Sequence, residues 1–197
     1  MCSISIIDLE MVRCPLLVFV LLGAVLASTP NEDLLEAAEA EHIDGAKEAL
    51  AAGADVNHKD DYEWTALTFA AQKGQTELAK LLLDKGADAK ITDKNGQTPL
   101  MMAAAGGFVE VAEMLLTKGC DINAKDNNLG VTALTAAALN DHLSIVKLLV
   151  DEGADVNLAD NDGHTALMEV SDPTVTHLSN RDDIIKVLKG DTQKQEL

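Results

Sequence analysis

Positive charge is scarce in this 197-residue sequence: 15 Lys and Arg stand against 33 Asp and Glu, a formal net charge of −18. So acidic a chain repels a phosphate backbone and an anionic membrane surface, which argues against nucleic acid and lipid headgroups as partners. Cysteine is also sparse. Cys2, Cys14 and Cys120 are too widely spaced for a zinc or redox pair and too few for a disulfide framework. Aromatics make up only 3% of the residues. The five histidines, at 42, 58, 142, 164 and 177, form no metal or nucleophile motif, and no Gly-rich loop matches a phosphate cradle. No cofactor, metal or catalytic residue is expected. With 47% hydrophobic residues, the chain can still bury a sizeable core in one or two domains.

Long apolar runs are limited to one. Residues Pro15 to Ala27 carry no charge or hydroxyl, but thirteen residues fall short of the roughly 20 that span a bilayer. The run has the length of a secretory h-region, and Val25 and Ala27 place small side chains where a signal peptidase reads them. Residues 1–27 are therefore expected to be a signal peptide cleaved before Ser28, with no stable membrane insertion afterwards. Asp8 and Glu10 disturb the leader's positive n-region. Starting at Met11 leaves Arg13 and the amino terminus as its charges, and is the preferred start. The alternative is an uncleaved anchor or a buried helix. Cleavage leaves 14 basic and 31 acidic residues, net −17.

The remainder is periodic. Thr65, Thr98, Thr132 and Thr165 each open a Thr-Ala/Pro-Leu triplet, and Gly53, Gly86, Gly119 and Gly153 each open Gly-Ala/Cys-Asp. Both series step by 33 or 34 residues, and both put the one extra residue between Gly119 and Thr132. Each threonine can cap a first helix. A second helix follows about a dozen residues on, with apolar positions at i, i+3 and i+4: Leu78/Leu81/Leu82, Val111/Met114/Leu115, Ile145/Leu148/Leu149 and Ile184/Val187/Leu188. Gly86, Gly119 and Gly153 end these helices by adopting positive φ.

The run Asp93-Lys-Asn-Gly-Gln-Thr-Pro-Leu100, then Ala103-Ala104, Gly107, Glu110-Val111, Leu115-Leu116 and Gly119-Cys-Asp-Ile-Asn123, closely resembles the ankyrin-repeat family. The resemblance covers residues 31 to 190 and implies an all-α solenoid of helix-turn-helix units with β-hairpin fingers. It divides 28–190 into five repeats: 31–59 as N-terminal cap, 60–92, 93–125, 126–159, and 160–190 as C-terminal cap with an insertion. Residues 191–197 form a tail. The family's His after Thr-Pro-Leu is here Thr68, Met101, Thr135 and Met168, which removes its donor for bonds between repeats. Glu63 and Asp141 replace consensus glycines and should strain their turns. Gly45 and Glu48 stand where the second repeat has Leu78 and Leu81, and Lys189 stands where repeat four has Val150; polar outer faces suit the ends of a solenoid. The last repeat has six extra residues between Thr165 and Ile184, giving a long loop over 172–180.

Two decoys are set aside. Asp160, Asp162, Gly163 and Glu169 fit a calcium loop, but its leading ligand position is Leu158. Acid abundance could bring two carboxylates together as acid and base, but Asp55, Asp88, Asp121, Asp155, Asp60, Asp93, Asp126 and Asp160 read as turn-stabilising groups. Cys120 stands where other repeats have alanine and reads as a small buried side chain.

Tyr62 and Trp64 fall on a finger and suit an interface anchor. Equally, Trp64 could fold down over the hole left by the atypical first repeat. By resemblance, the other contact residues facing the concave groove are Asp61, Gln72, Lys73, Lys94, Asn95, Gln97, Asn127, Asn128, Val131, Leu139, Asn140, Asn161 and His164. The expected function is non-enzymatic binding of a protein partner with a basic surface by an exported monomer, through occlusion or scaffolding, as in an inhibitor or immunity-type protein. The alternatives are a multi-partner envelope scaffold and, more remotely, a hydrolase or metal protein. A periplasmic or secreted location is expected. The ending Lys194-Gln-Glu-Leu197 keeps open the endoplasmic reticulum lumen, since it is one substitution from a retrieval signal.

Overall fold

The computed structural model describes residues 28–190. The leader, its cleavage-site residues through Ala27, Cys2, Cys14 and the 191–197 tail lie outside the described residues. Ten helices follow one another in five pairs: α1 Pro30–Glu39 and α2 Ile43–Ala51, α3 Ala66–Lys73 and α4 Thr76–Asp84, α5 Pro99–Gly106 and α6 Val109–Thr117, α7 Ala133–Leu139 and α8 Leu143–Asp151, α9 Ala166–Ser171 and α10 Arg181–Leu188. Each pair packs on the next. First helices touch first helices along one row, and second helices touch second helices along the other. This is the all-α helix-turn-helix solenoid expected of the repeat.

Helices of six to ten residues are marginal alone in water, so packing must hold them. The first helices are alanine-rich, and Ala66, Ala70, Ala71, Ala103, Ala104, Ala133, Ala137 and Ala138 are all buried. Their small side chains let successive helices approach closely. Leu67, Leu100 and Leu134, one per inner repeat, complete that row of the core. In the second helices the buried seam is broader than the i, i+3, i+4 pattern implies. Leu81, Met114 and Leu148 are only half-buried, whereas Ala79, Ala112 and Val146 are sealed. Each second helix faces its own first helix and the next repeat at once, which rotates the seam by one residue.

The caps form as the sequence indicates. Thr65, Thr98, Thr132 and Thr165 accept the N–H three residues on, satisfying one of the helix's orphan donors. Thr68 and Thr135 turn inward on the same cap, their hydroxyls 3.1 and 3.2 Å from those of Thr65 and Thr132. They serve their own repeat. Bonds between repeats come instead from the start of the second helix: Gln75 Nε2 donates to Ala38 O at 2.9 Å, and His142 Nε2 lies 3.0 Å from Ala105 O. Phe108 holds the same position in the third repeat and packs against Gly74, where a Cβ would come within 2.3 Å of its ring.

The fingers differ from the expected β-hairpins in one respect. Among the described residues they contain no strand, only an isolated antiparallel bridge between Ala159 and Thr165. Each is a turn closed by backbone bonds such as Asp60 N to Trp64 O at 2.9 Å and Asp93 N to Gln97 O at 3.1 Å. The aspartate carboxylates of Asp60, Asp93, Asp126 and Asp160 each take two further N–H groups of their own finger, so those donors cannot enter a ladder. Asp55, Asp88, Asp121 and Asp155 each hold the N–H two residues on. All eight act as turn groups. Fingers pair sideways instead: Lys94 N donates to Tyr62 O, Asn127 N to Asn95 O and Asn161 N to Leu129 O.

The extra residue of the 34-residue step lies at the tip of the finger of the fourth repeat. Asp126 holds the N–H groups of Leu129 and Val131, three and five residues on, where the other fingers use two and four. The insertion after α9 is docked on the preceding repeat. His177 Nε2 lies 2.9 Å from Leu139 O, Leu178 is buried, and Ser179 and Asn180 donate to the Asp141 carboxylate. Glu63 and Asp141 do adopt the left-handed conformation, at φ 63° and 65°, and so does Glu41 at 61°.

Candidate protein-binding surface

The residue before each capping threonine and the residue four after it form a recurring pair along the finger side of the first-helix row: Trp64 and Phe69, Gln97 and Met102, Val131 and Ala136, His164 and Glu169. All eight lie at the surface or only partly beneath it. The strip therefore runs from an aromatic end to a charged end, with neutral pairs between. The first member was legible from the finger position. The second escaped the sequence reading because it lies inside a helix and looks like core.

At the aromatic end, the Trp64 and Phe69 rings are 4.9 Å apart and tilted by 59°, a favourable edge-inclined contact. Trp64 is half-buried on Phe69 and lines a cleft of about 610 Å³ with Glu39, Asp60, Tyr62, Asp93, Lys94, Asn95 and Gln97. It thus leans inward beside the first repeat and still presents a face to the cleft. Tyr62 is 71% exposed on the finger above. Leu129, 60% exposed on the finger of the fourth repeat, is a further contact candidate. The added finger residue that pushes it out was visible, but its place at the tip was not.

The other candidates divide by what already holds them. Asp61, Gln72, Lys94, Asn95 and Asn128 are exposed, and Gln97, Val131 and Leu139 are half-buried. Lys73 reaches the Glu39 carbonyl, tying α3 to α1. Asn127 packs against Gly96, where a Cβ would meet it at 2.6 Å, and Asn161 Nδ2 donates to Asn128 O at 3.0 Å; both stack fingers. Asn140 Nδ2 returns to Ala136 O of its own helix at 2.8 Å.

At the charged end, His164 Nδ1 is 3.0 Å from Glu169 Oε1. Asp160, His164 and Glu169 bring one donor atom each within 4.8 Å of one another, a set that could hold a metal ion. Asp160 and Glu169 belong to the calcium-loop pattern set aside above, and the fold adds His164 to them through the finger turn. The N–H groups of His164 and Asp162 hold the Asp160 carboxyl below its ordinary value, so that oxygen already serves the turn. Cys120 is half-buried, and desolvation pushes its thiol up to about 11, which keeps it protonated and unreactive near neutrality.

A family model for ankyrin repeats (3 copies) matches residues 34–126 and again 124–194. The protein belongs to the ankyrin-repeat family. A search among curated proteins gives no match. Ankyrin repeats are protein–protein interaction modules and typically not enzymes. No helix among the described residues is long and apolar enough to cross a membrane.

Proposed function

We propose that the protein is an exported binding module that engages a protein partner through the strip of fingers and first helices, acting by occlusion or scaffolding without chemistry. The observation that carries this reading is the strip itself: an aromatic anchor at Trp64 and Phe69, the exposed Tyr62 and Leu129 on the fingers, and polar residues between. A large aromatic in a partly desolvated setting is what interface hot spots are made of. The net charge of −18 favours a partner with a basic surface and accelerates encounter by long-range attraction.

The apolar run ending at Ala27 supports export, to the periplasm or the medium, or to the endoplasmic reticulum lumen in a eukaryotic cell. An inhibitor or immunity-type role corresponds to one tight partner, and an envelope scaffold to several weaker ones. The test is the association rate with a partner captured from the exported fraction, measured at low and at high salt. The expected result is a rate that falls steeply as salt rises. Salt-independent association removes the basic-partner reading. Intact mass after fractionation tests export: a species beginning at Ser28 supports it, and an uncleaved membrane-bound species overturns it.

A further inference from the structure

The cleft at the aromatic end is built for one kind of group. Its floor is the exposed side of Trp64 resting on Phe69, with Tyr62 beside it. Its charged lining is Glu39, Asp60 and Asp93 against the single cation Lys94. Asp93 is buried, at 4% exposure. Asp60 and Asp93 each commit Oδ1 to two backbone N–H groups, and among the described residues neither uses Oδ2 in a hydrogen bond. An electron-rich ring face beneath an excess of carboxylates attracts a cation and repels an anion.

We infer that this cleft takes an arginine side chain of the partner, its guanidinium stacked on Trp64 and its charge met by Glu39, Asp60 and Asp93. This rests on the protein-binding reading above and names the chemistry of the contact. Arginine fits better than lysine because its planar, weakly hydrated fork stacks on an aromatic face while donating sideways to carboxylates. Lys94 opposes the ligand's charge at the rim. The other three finger and helix pairs, Gln97/Met102, Val131/Ala136 and His164/Glu169, offer no aromatic floor, so the contact is particular to this end of the strip.

Trp64 is the chain's single tryptophan, so its fluorescence reports the site directly. Titration of the full-length protein at low salt with N-acetyl triarginine amide should give a saturable fluorescence change. The trilysine analogue should bind about threefold more weakly, consistent with the worth of a cation–π contact, and the neutral tricitrulline analogue should not bind. Glu39→Gln should weaken triarginine about threefold, Glu152→Gln on the second-helix row should change it less than twofold, and Lys94→Gln should tighten it. The inference is overturned if lysine matches arginine, if Glu152→Gln weakens binding as much as Glu39→Gln, or if Trp64 does not respond. The function reading has a separate test. A partner whose binding survives Glu39→Gln unchanged but is lost on substituting Leu129 and Asn128 refutes the arginine cleft alone. A partner that docks on the second-helix row refutes both.

Discussion

Asp141 sits in the left-handed region, at φ 65°, and its carboxylate holds the insertion of the last repeat. Oδ2 accepts the Ser179 N–H at 2.8 Å and the Ser179 hydroxyl, and Oδ1 accepts the Asn180 N–H at 2.8 Å. Replacing it therefore has two separable effects. Asp141→Ala keeps the strained backbone and deletes all three bonds, costing about 2–3 kcal/mol at roughly 1 kcal/mol per bond in this partly exposed site. Asp141→Gly deletes the same bonds but relieves a left-handed penalty of about 1 kcal/mol, for a net loss of about 1–2 kcal/mol. Because a solenoid loses its end repeat first, the loss should appear as faster amide exchange in α10 and the 172–180 loop, with α3 to α6 unchanged. Burial works to raise the Asp141 carboxyl, but hydrogen bonds from Ser179 and Asn180 outweigh it and leave it below its ordinary value. The unfolded chain thus takes up the proton first. Docking is fully present above about pH 4 and is lost as pH falls through the lower, folded value. An Asp141→Gly variant with wild-type or greater protection in α10 would refute the docking argument. Equal losses for alanine and glycine would refute the strain argument.

Glu63 shares the left-handed conformation but has only an exposed ion pair with Lys59 at 2.9 Å, so Glu63→Gly should raise the melting temperature measured by calorimetry. Asn57 and Asn123 each accept the N–H of a loop aspartate in the following repeat, and Lys90 occupies the same position without such a bond. Lys90→Asn should supply one to Asp121 N–H and add about 0.5–1 kcal/mol in urea denaturation. With a thiol pushed up to about 11, Cys120 should have only about 0.1% thiolate at pH 8. A Cys2→Ser/Cys14→Ser chain should accordingly react with iodoacetamide far more slowly than a free thiol, and alkylation at the rate of a small-molecule thiol would contradict the burial.

The fold was legible because the repeat writes its own punctuation. Capping threonines, terminating glycines and turn aspartates act through local backbone bonds, which depend on spacing alone. Gly86, Gly119 and Gly153 illustrate this: each has positive φ, and a Cβ there would meet nothing within 4 Å, so conformation alone explains the residue. What the sequence did not reveal is made between repeats. The sideways pairing of fingers, the Gln75 and His142 bonds to the preceding repeat, and the docking of Ser179 and Asn180 on Asp141 span 32 to 39 residues and have no local signature. For the surface, the finger position identified Tyr62 and Trp64. The pairing of Phe69 with Trp64 and of Glu169 with His164 comes from the first helix presenting its fourth residue beside the finger. Asn127 and Asn161, read as contact residues, are in part spent on holding neighbouring fingers together.

The central claim is that a protein partner binds the finger and first-helix strip. Hydrogen exchange of the protein alone and in complex with its captured partner tests it most directly. The account predicts slowed exchange in the fingers around Tyr62, Asn95 and Leu129 and at the starts of α3, α5 and α7, with α4, α6 and α8 unchanged. Protection confined to α4, α6 and α8, leaving the fingers as they are in the unbound protein, would contradict it.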